Sequence, residues 1–215
     1  MTAQQTLQTE EYKQTELGEL PKEWEVVRLD SISKIGSGGS APQGEKYFHG
    51  KNPFIRVQHL NLESYSINNY DLITEEAVKK YKLKLFPKGT IVFPKSGASI
   101  YSEKRAMLPF DAYVVSHLCT IQATNKINRN FLYFFLRGKK LAEKKAETYP
   151  TLNLFEIKEL QIPLPPLPEQ QKIASVLSTV QDAQEKTDKY IDALKELKKS
   201  LMKHLFTYGA VSFED

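Results

Sequence analysis

The sequence predicts an α+β domain followed by a long α-helix that pairs with a second chain as an antiparallel coiled coil. Up to residue 165, strand-like and helix-like segments follow one another without regular alternation. Residues 169–206 contain neither glycine nor proline and repeat their apolar residues in heptads. Between these regions, the run Pro163–Pro168 (PLPPLP) breaks the chain with fixed backbone angles and missing donors.

The elements follow in order. Trp24–Leu29 (WEVVRL) reads as a strand, and a glycine-rich turn is expected at residues 36–40 (GSGGS). Pro53–Val57 and Thr90–Phe93 read as further strands, the second entered through Pro87-Lys88-Gly89. Tyr113–Ala123 (YVVSHLCTIQA), rich in β-branched and aromatic residues, is the strongest strand expectation. Thr74 should cap a short helix whose first turn holds Glu75 and Glu76. Asn130 should cap a second, running through FLYFFLRGKKLAEKKAE. Residues 1–14 lack periodicity and are expected to form a flexible extension.

In the long helix, Ile173, Val180, Leu194 and Leu201 hold one heptad position, interrupted by Thr187. Val176, Ala183, Tyr190 and Leu197 hold the position three residues on, and Leu177, Ile191 and Leu205 widen the stripe. Thirty-eight residues of helix span roughly 57 Å, and an apolar stripe that long needs a partner helix. With one such helix in the sequence, the partner is expected to come from a second chain. Antiparallel self-pairing is the simplest closed arrangement.

Composition excludes several classes. Apolar residues at 40% and charged residues at 26% fit a globular chain and not a disordered one. No apolar run approaches the roughly 18 residues needed to span a bilayer, and the polar, acidic N-terminus lacks a secretory layout. The single cysteine, Cys119, cannot form an internal disulfide, so a reducing compartment, the cytoplasm, is expected.

The net charge of +4 is unevenly spread: residues 27–165 hold 21 basic against 12 acidic residues, or +9. That excess fits a polyanionic partner, since lysines and arginines displace counterions condensed on phosphates.

Catalytic motifs are wanting. In Gly39–Lys46 (GSAPQGEK) the lysine falls one place late for a phosphate-binding loop, and Tyr47 stands where a metal-binding hydroxyl is required. His49, His59, His117 and His204 have no ligand spacing, which argues against zinc. No nucleophile elbow, amine-methyltransferase motif or convincing magnesium-nuclease constellation appears.

Recognition chemistry remains. Donors and acceptors suited to phosphates and base edges gather in four loop-like segments. Lys34, Ser37 and Ser40 flank the glycines, which would let backbone N–H groups approach a phosphate. Arg56, Gln58 and Asn61 form a second group. Lys95, Ser99, Tyr101, Lys104 and Arg105 form a third, and Tyr149 and Thr151 a fourth.

Thr15–Leu29 (TELGELPKEWEVVRL) resembles the opening of a target-recognition domain in specificity subunits of type I restriction-modification systems. Ile162–Ala174 (IPLPPLPEQQKIA) resembles that family's junction between recognition domain and spacer helix. Phe86–Phe93 and Leu205–Gly209 resemble its middle strand and helix end. The resemblance implies a mixed α/β recognition domain at 15–165, a spacer and dimerisation helix at 166–207, and a tail at 208–215.

It also implies a non-catalytic chain that reads one half of a split double-stranded DNA target. The helix would dock methylation and restriction subunits, which would carry S-adenosylmethionine, ATP and magnesium; this chain would carry no cofactor. A typical subunit has two recognition domains and two helices, and one of each is found here. The chain therefore resembles a half-subunit acting as a homodimer. A coiled-coil adaptor binding DNA without sequence preference is the alternative.

Overall fold

The computed structural model describes residues 11–62, 66–142 and 150–210. It divides into two compact units, one ending at Ser175 and the other beginning at Val176.

The first unit opens with a hairpin, β1 (Tyr12–Thr15) against β2 (Gly18–Pro21). Residues 12–14, expected within the N-terminal extension, are therefore strand. Gly18, at φ +99°, supplies the left-handed turn residue. Strand β3 (Glu25–Arg28) then pairs antiparallel with β12 (Gln161–Leu164), so both ends of the domain meet in one ribbon. Pro163 fits there because a two-stranded ribbon leaves edge positions that need no N–H donor.

Two four-stranded sheets make the body. The first is antiparallel, in the order β4 (Ser33–Ser37), β11 (Leu118–Ala123), β8 (Ile91–Pro94), β9 (Ala106–Met107). The second is mixed, in the order β6 (Asp71–Ile73), β5 (Phe48–Ile55), β10 (Ala112–Val114), β7 (Leu85–Phe86), with β5 and β10 parallel. Strand β8 is buried throughout: Ile91 and Phe93 enter one core while Val92 enters the other. Side chains alternate across a strand, so this continuous apolar run serves both faces.

Helix α1 (Leu29–Ile32), α3 (Arg129–Arg137) and α4 (Leu154–Lys158) cover the first core with Leu29, Phe131, Leu132, Leu136 and Ile157. Helix α2 (Glu75–Lys80) packs Ala77 into the second core, and Thr74 caps it as expected by accepting from the Ala77 N–H.

Three expectations need correction. The run Tyr113–Ala123 is two strands in two different sheets, because Ser116 and His117 turn the chain between β10 and β11. The cap of α3 is Asn128, whose side chain accepts from the N–H groups of Asn130 and Phe131. The expected turn at 36–40 begins inside β4, which runs through Ser37.

Helix α5 (Leu167–Tyr208) is 42 residues long. Its start is tied to the first unit by Gln170, 1% exposed. The Gln170 amide donates to the Pro165 carbonyl at 2.8 Å and accepts from the Asn128 N–H at 2.7 Å. Trp24 Nε1–H donates to Glu169 at 3.0 Å. These contacts give a physical reason for the Pro-Leu-Pro-Glu-Gln junction. In the second unit, Val176, Val180, Tyr190, Leu194, Leu197 and Leu201 are all exposed, whereas Ile173, before it, packs against the first core.

Candidate nucleic-acid interface

One end of the first sheet gathers most of the expected recognition segments. In an antiparallel order β4-β11-β8, the end of β4, the start of β11 and the end of β8 lie side by side. Ser37 pairs with Cys119 and Pro94 with Leu118, so the loops after Ser37 and Pro94 leave from the same edge. Thr151 joins them through a bridge to Ser96, secured by hydrogen bonds Leu152 N–H to Lys95 O at 2.7 Å and Gly97 N–H to Pro150 O at 2.9 Å. Gly97, at φ +74° and ψ −179°, occupies backbone space that favours glycine.

The second sheet delivers its own ends to the same place. Strands β5 and β10 run parallel and finish together, with the Val115 N–H donating to Ile55 O at 2.9 Å. Gly39 crosses Val115, donates to Val114 O at 2.8 Å and accepts from the Ser116 N–H at 2.7 Å. A Cβ on Gly38 would sit 1.9 Å from the Val114 carbonyl oxygen, so only glycine permits this crossing.

Ser37, at the end of β4, and Ser40, Arg56, Lys95, Ser99 and Thr151, on the segments beyond the strand ends, thus converge on the 115–117 link. Gln58 and Asn61, both exposed, follow Arg56. Tyr101 is 50% exposed on the 3-10 turn Ala98–Ser102.

The link itself was missed. His117 is exposed, and its Nδ1 lies 2.8 Å from Ser96 Oγ, placing a ring with switchable donor and acceptor character at the centre of the edge. The signal was the polar pair Ser116-His117 inside an apolar run, a place where a strand must end.

Several expected readers are held otherwise. Arg105 is 2% exposed: its guanidinium donates to the Glu103 and Lys139 carbonyls, pairs with the Glu103 carboxylate and stacks over Phe93. It is a core cation, and its expected role at a base edge is corrected. Arg56 Nε lies 2.7 Å from the Asp71 carboxylate while its guanidinium covers Phe48 and Phe54, so it orients the segment. The N–H groups of Gly38 and Gly39 donate to the carbonyls of Leu118 and Val114, so they are not aimed at a phosphate as expected. Lys34 is exposed but sits opposite Gln122, part-way down β4 from the edge. Lys104 is half-buried beside Arg105. Tyr149 lies outside the described residues.

Electrostatics add a neutral anchor and a basic flank. His59, 6% exposed, accepts the Arg56 N–H on Nδ1 at 3.0 Å. Burial pushes its pKa down, against the pull of Asp71 and with the help of Arg56, so the ring favours its neutral form. Lys46, Lys51, Lys79, Lys80, Lys82 and Lys84 are exposed on and around α2. Lys80 is fixed by donating to Tyr47 Oη at 2.6 Å, a contact that holds the phenol pKa below its ordinary value. Burial raises the Cys119 thiol to about 12, which leaves it inert at neutral pH. Among the described residues, no group of three or more His, Cys, Asp or Glu side chains is placed to hold a metal ion. Nor is any helix long and apolar enough to cross a membrane.

Comparison with known proteins agrees with this architecture. The MjaIX specificity subunit of a type I restriction enzyme from Methanocaldococcus jannaschii is 34% identical over 202 residues, covering 92% of this chain and 46% of the relative. A MjaX specificity subunit from the same organism, described as of a putative type I restriction enzyme, is 30% identical over 213 residues, covering 93% and 49%. The chain spans about half the length of the curated relatives it matches.

Among solved structures, a chain from work on complex assembly and conformational transition of the type I R-M system superposes with a TM-score of 0.63 at 20% identity. It covers 96% of this chain and 51% of that one. The HsdS subunit from Thermoanaerobacter tengcongensis gives 0.57 at 16% identity, covering 96% and 50%. These likenesses support the mixed recognition fold with its long C-terminal helix. Residues 21–196 match the family model described as the type I restriction modification DNA specificity domain, and the chain belongs to that family.

Proposed function

We propose that this chain is the DNA sequence-specificity component of a type I restriction-modification complex, each copy reading one half of a bipartite target. The observation that carries this reading is the convergence of loops from both sheets on the 115–117 link, within a stretch carrying +9. Hydroxyls, amides, a lysine and an imidazole on one edge supply donors and acceptors for base edges and phosphates. The lysines around α2 supply sequence-independent attraction to the duplex.

In this reading Val176–Tyr208 dimerises and sets the distance between half-sites. The paired helices offer a scaffold to methylation and restriction subunits in the cytoplasm. S-adenosylmethionine, ATP and magnesium belong to those partners, and the chain itself performs no catalysis.

Selecting bound duplexes from a random pool tests the proposal. Two identical half-sites, inverted around an unread spacer, are expected from two-fold symmetry. Binding with no recovered motif would instead establish the adaptor reading. Two unrelated half-sites would exclude the homodimer. Cleavage or methylation of plasmid by the pure chain with magnesium and S-adenosylmethionine would overturn the non-catalytic assignment.

A further inference from the structure

The exposed seam of the second unit is self-complementary in one register, and this goes beyond the homodimer reading on which it rests. We infer that Val176–Tyr208 pairs with a second copy of itself antiparallel, centred on residue 192, so that facing seam residues have numbers summing to 384. Antiparallel coiled coils set one seam position against the other, so the permitted registers differ by whole heptads.

In this register Val176 faces Tyr208 of the second copy, Val180 faces His204, Ala183 faces Leu201, Thr187 faces Leu197 and Tyr190 faces Leu194. The two smallest seam residues thereby meet leucines, and layers alternate small against large. Parallel pairing would set Ala183 and Thr187 against their own copies, leaving a void, and would lay two helix dipoles side by side in the same direction.

The residues flanking the seam select among antiparallel registers. On one side Leu177, Gln184, Ile191, Lys198 and Leu205 read nearly the same in both directions. With the seam at 384, these flanking side chains meet their nearest counterparts at a sum of 382: Leu177 meets Leu205, Gln184 meets Lys198, and Ile191 meets Ile191 of the second copy. On the other side the nearest counterparts sum to 386: Thr179 meets Thr207, Lys186 meets Ser200 and Ala193 meets its own copy.

A slip of one heptad toward the first unit sets Leu177 on Lys198 and Ile191 on Gln184. It also requires Ile173, which is packed against the first core. A second slip sets Lys186 on Lys186 of the second copy. A slip the other way sets Lys198 on Ile191 and leaves Val176 and Val180 uncovered. Among these registers only the one centred on residue 192 sets Leu177 on Leu205 and Ile191 on its own copy, covering side chains that are 40%, 49% and 43% exposed in that order. It places the two Val176 residues about 48 Å apart along the paired helices.

Single-cysteine variants of the full chain, treated with a short bismaleimide, test the register; the native Cys119 is buried and does not compete. Ile191→Cys is expected to yield covalent dimer by itself. Leu177→Cys and Leu205→Cys should each yield none above background, yet cross-link to one another when the two variants are mixed. Cross-linking of Leu177→Cys with itself would establish parallel pairing. Preference of Leu177→Cys for Lys198→Cys would establish the register one heptad away. Either result overturns the inference while leaving the homodimer intact. A native chain that sediments as a monomer at high concentration would remove the homodimer and the register together.

Discussion

Arg105 separates a structural cation from a base-reading one, and Arg105→Ala tests the distinction. Its Nη1 donates to Glu103 O at 2.7 Å and its Nη2 to Lys139 O at 2.9 Å. The Glu103 carboxylate it pairs with also accepts the Leu141 and Ala142 N–H groups at 3.1 and 3.2 Å. Truncation leaves that half-buried carboxylate without its cation and the two carbonyls without a donor. Breaking a buried pair from one side costs about 3–5 kcal/mol. For a chain of this size each kcal/mol lowers Tm by about 2–4 °C, so a fall of roughly 6–20 °C is expected. Calorimetry, with DNA affinity measured by fluorescence anisotropy well below the melting range, separates the two roles. An unchanged Tm with a large loss of affinity would refute the core assignment and return Arg105 to the interface.

Lys95→Ala should weaken DNA binding and reduce the log–log salt slope by about 0.9 for each phosphate left unneutralised, with Tm unmoved. His117→Ala should relax base preference at one position of a selected motif, and an unaltered motif would remove it from the reading edge. Gly38→Ala should cost about 3 kcal/mol in a denaturant titration, because the added Cβ meets the Val114 backbone. His59 gives a pH dependence: its folded pKa lies below the unfolded value of 6.5, so the unfolded chain takes up the proton first. Stability should therefore be flat above that value and decline as pH falls through it, a slope His59→Gln should flatten. Leu194→Lys or Leu201→Lys should abolish dimers in sedimentation while leaving the first unit's melting unchanged.

Much of the fold was legible where local chemistry and long-range packing agree. Thr74 and the acidic first turn of α2, the apolar β8 run and the glycine- and proline-free helix each follow from short-range rules. The Tyr113–Ala123 run misled because both of its halves are good strands. What divides them is the choice of sheet, set by Ile55 on one side and by Ser37 and Pro94 on the other, each more than 20 residues away in sequence. Arg105 misled for the same reason: an arginine in a polar segment reads as exposed until Glu103, Phe93 and Lys139 are seen to enclose it. The glycines at 38 and 39 were read as letting backbone N–H groups approach a phosphate, but the group they approach is the protein's own backbone at Val114, Val115 and Leu118.

That last point bears on how such an edge could change specificity without losing its fold. The backbone at Gly38, Gly39, Gly97 and Val115 is committed to internal hydrogen bonds, and Arg56 and His59 brace the adjoining segment from within. Ser40, Gln58, Asn61 and His117, by contrast, present exposed side chains beside these braced positions. Replacing those side chains leaves the crossing of the two sheets intact, while replacing Gly38 does not. The helix obeys a parallel division, with Gln170 and Glu169 holding its start and the residues from Val176 onward left to pair. Reading, bracing and pairing thus fall on separate sets of residues. Substitutions in one set should leave the others' measurements unchanged, and a base-preference variant at Gln58 or His117 that also shifted dimer mass would contradict this separation.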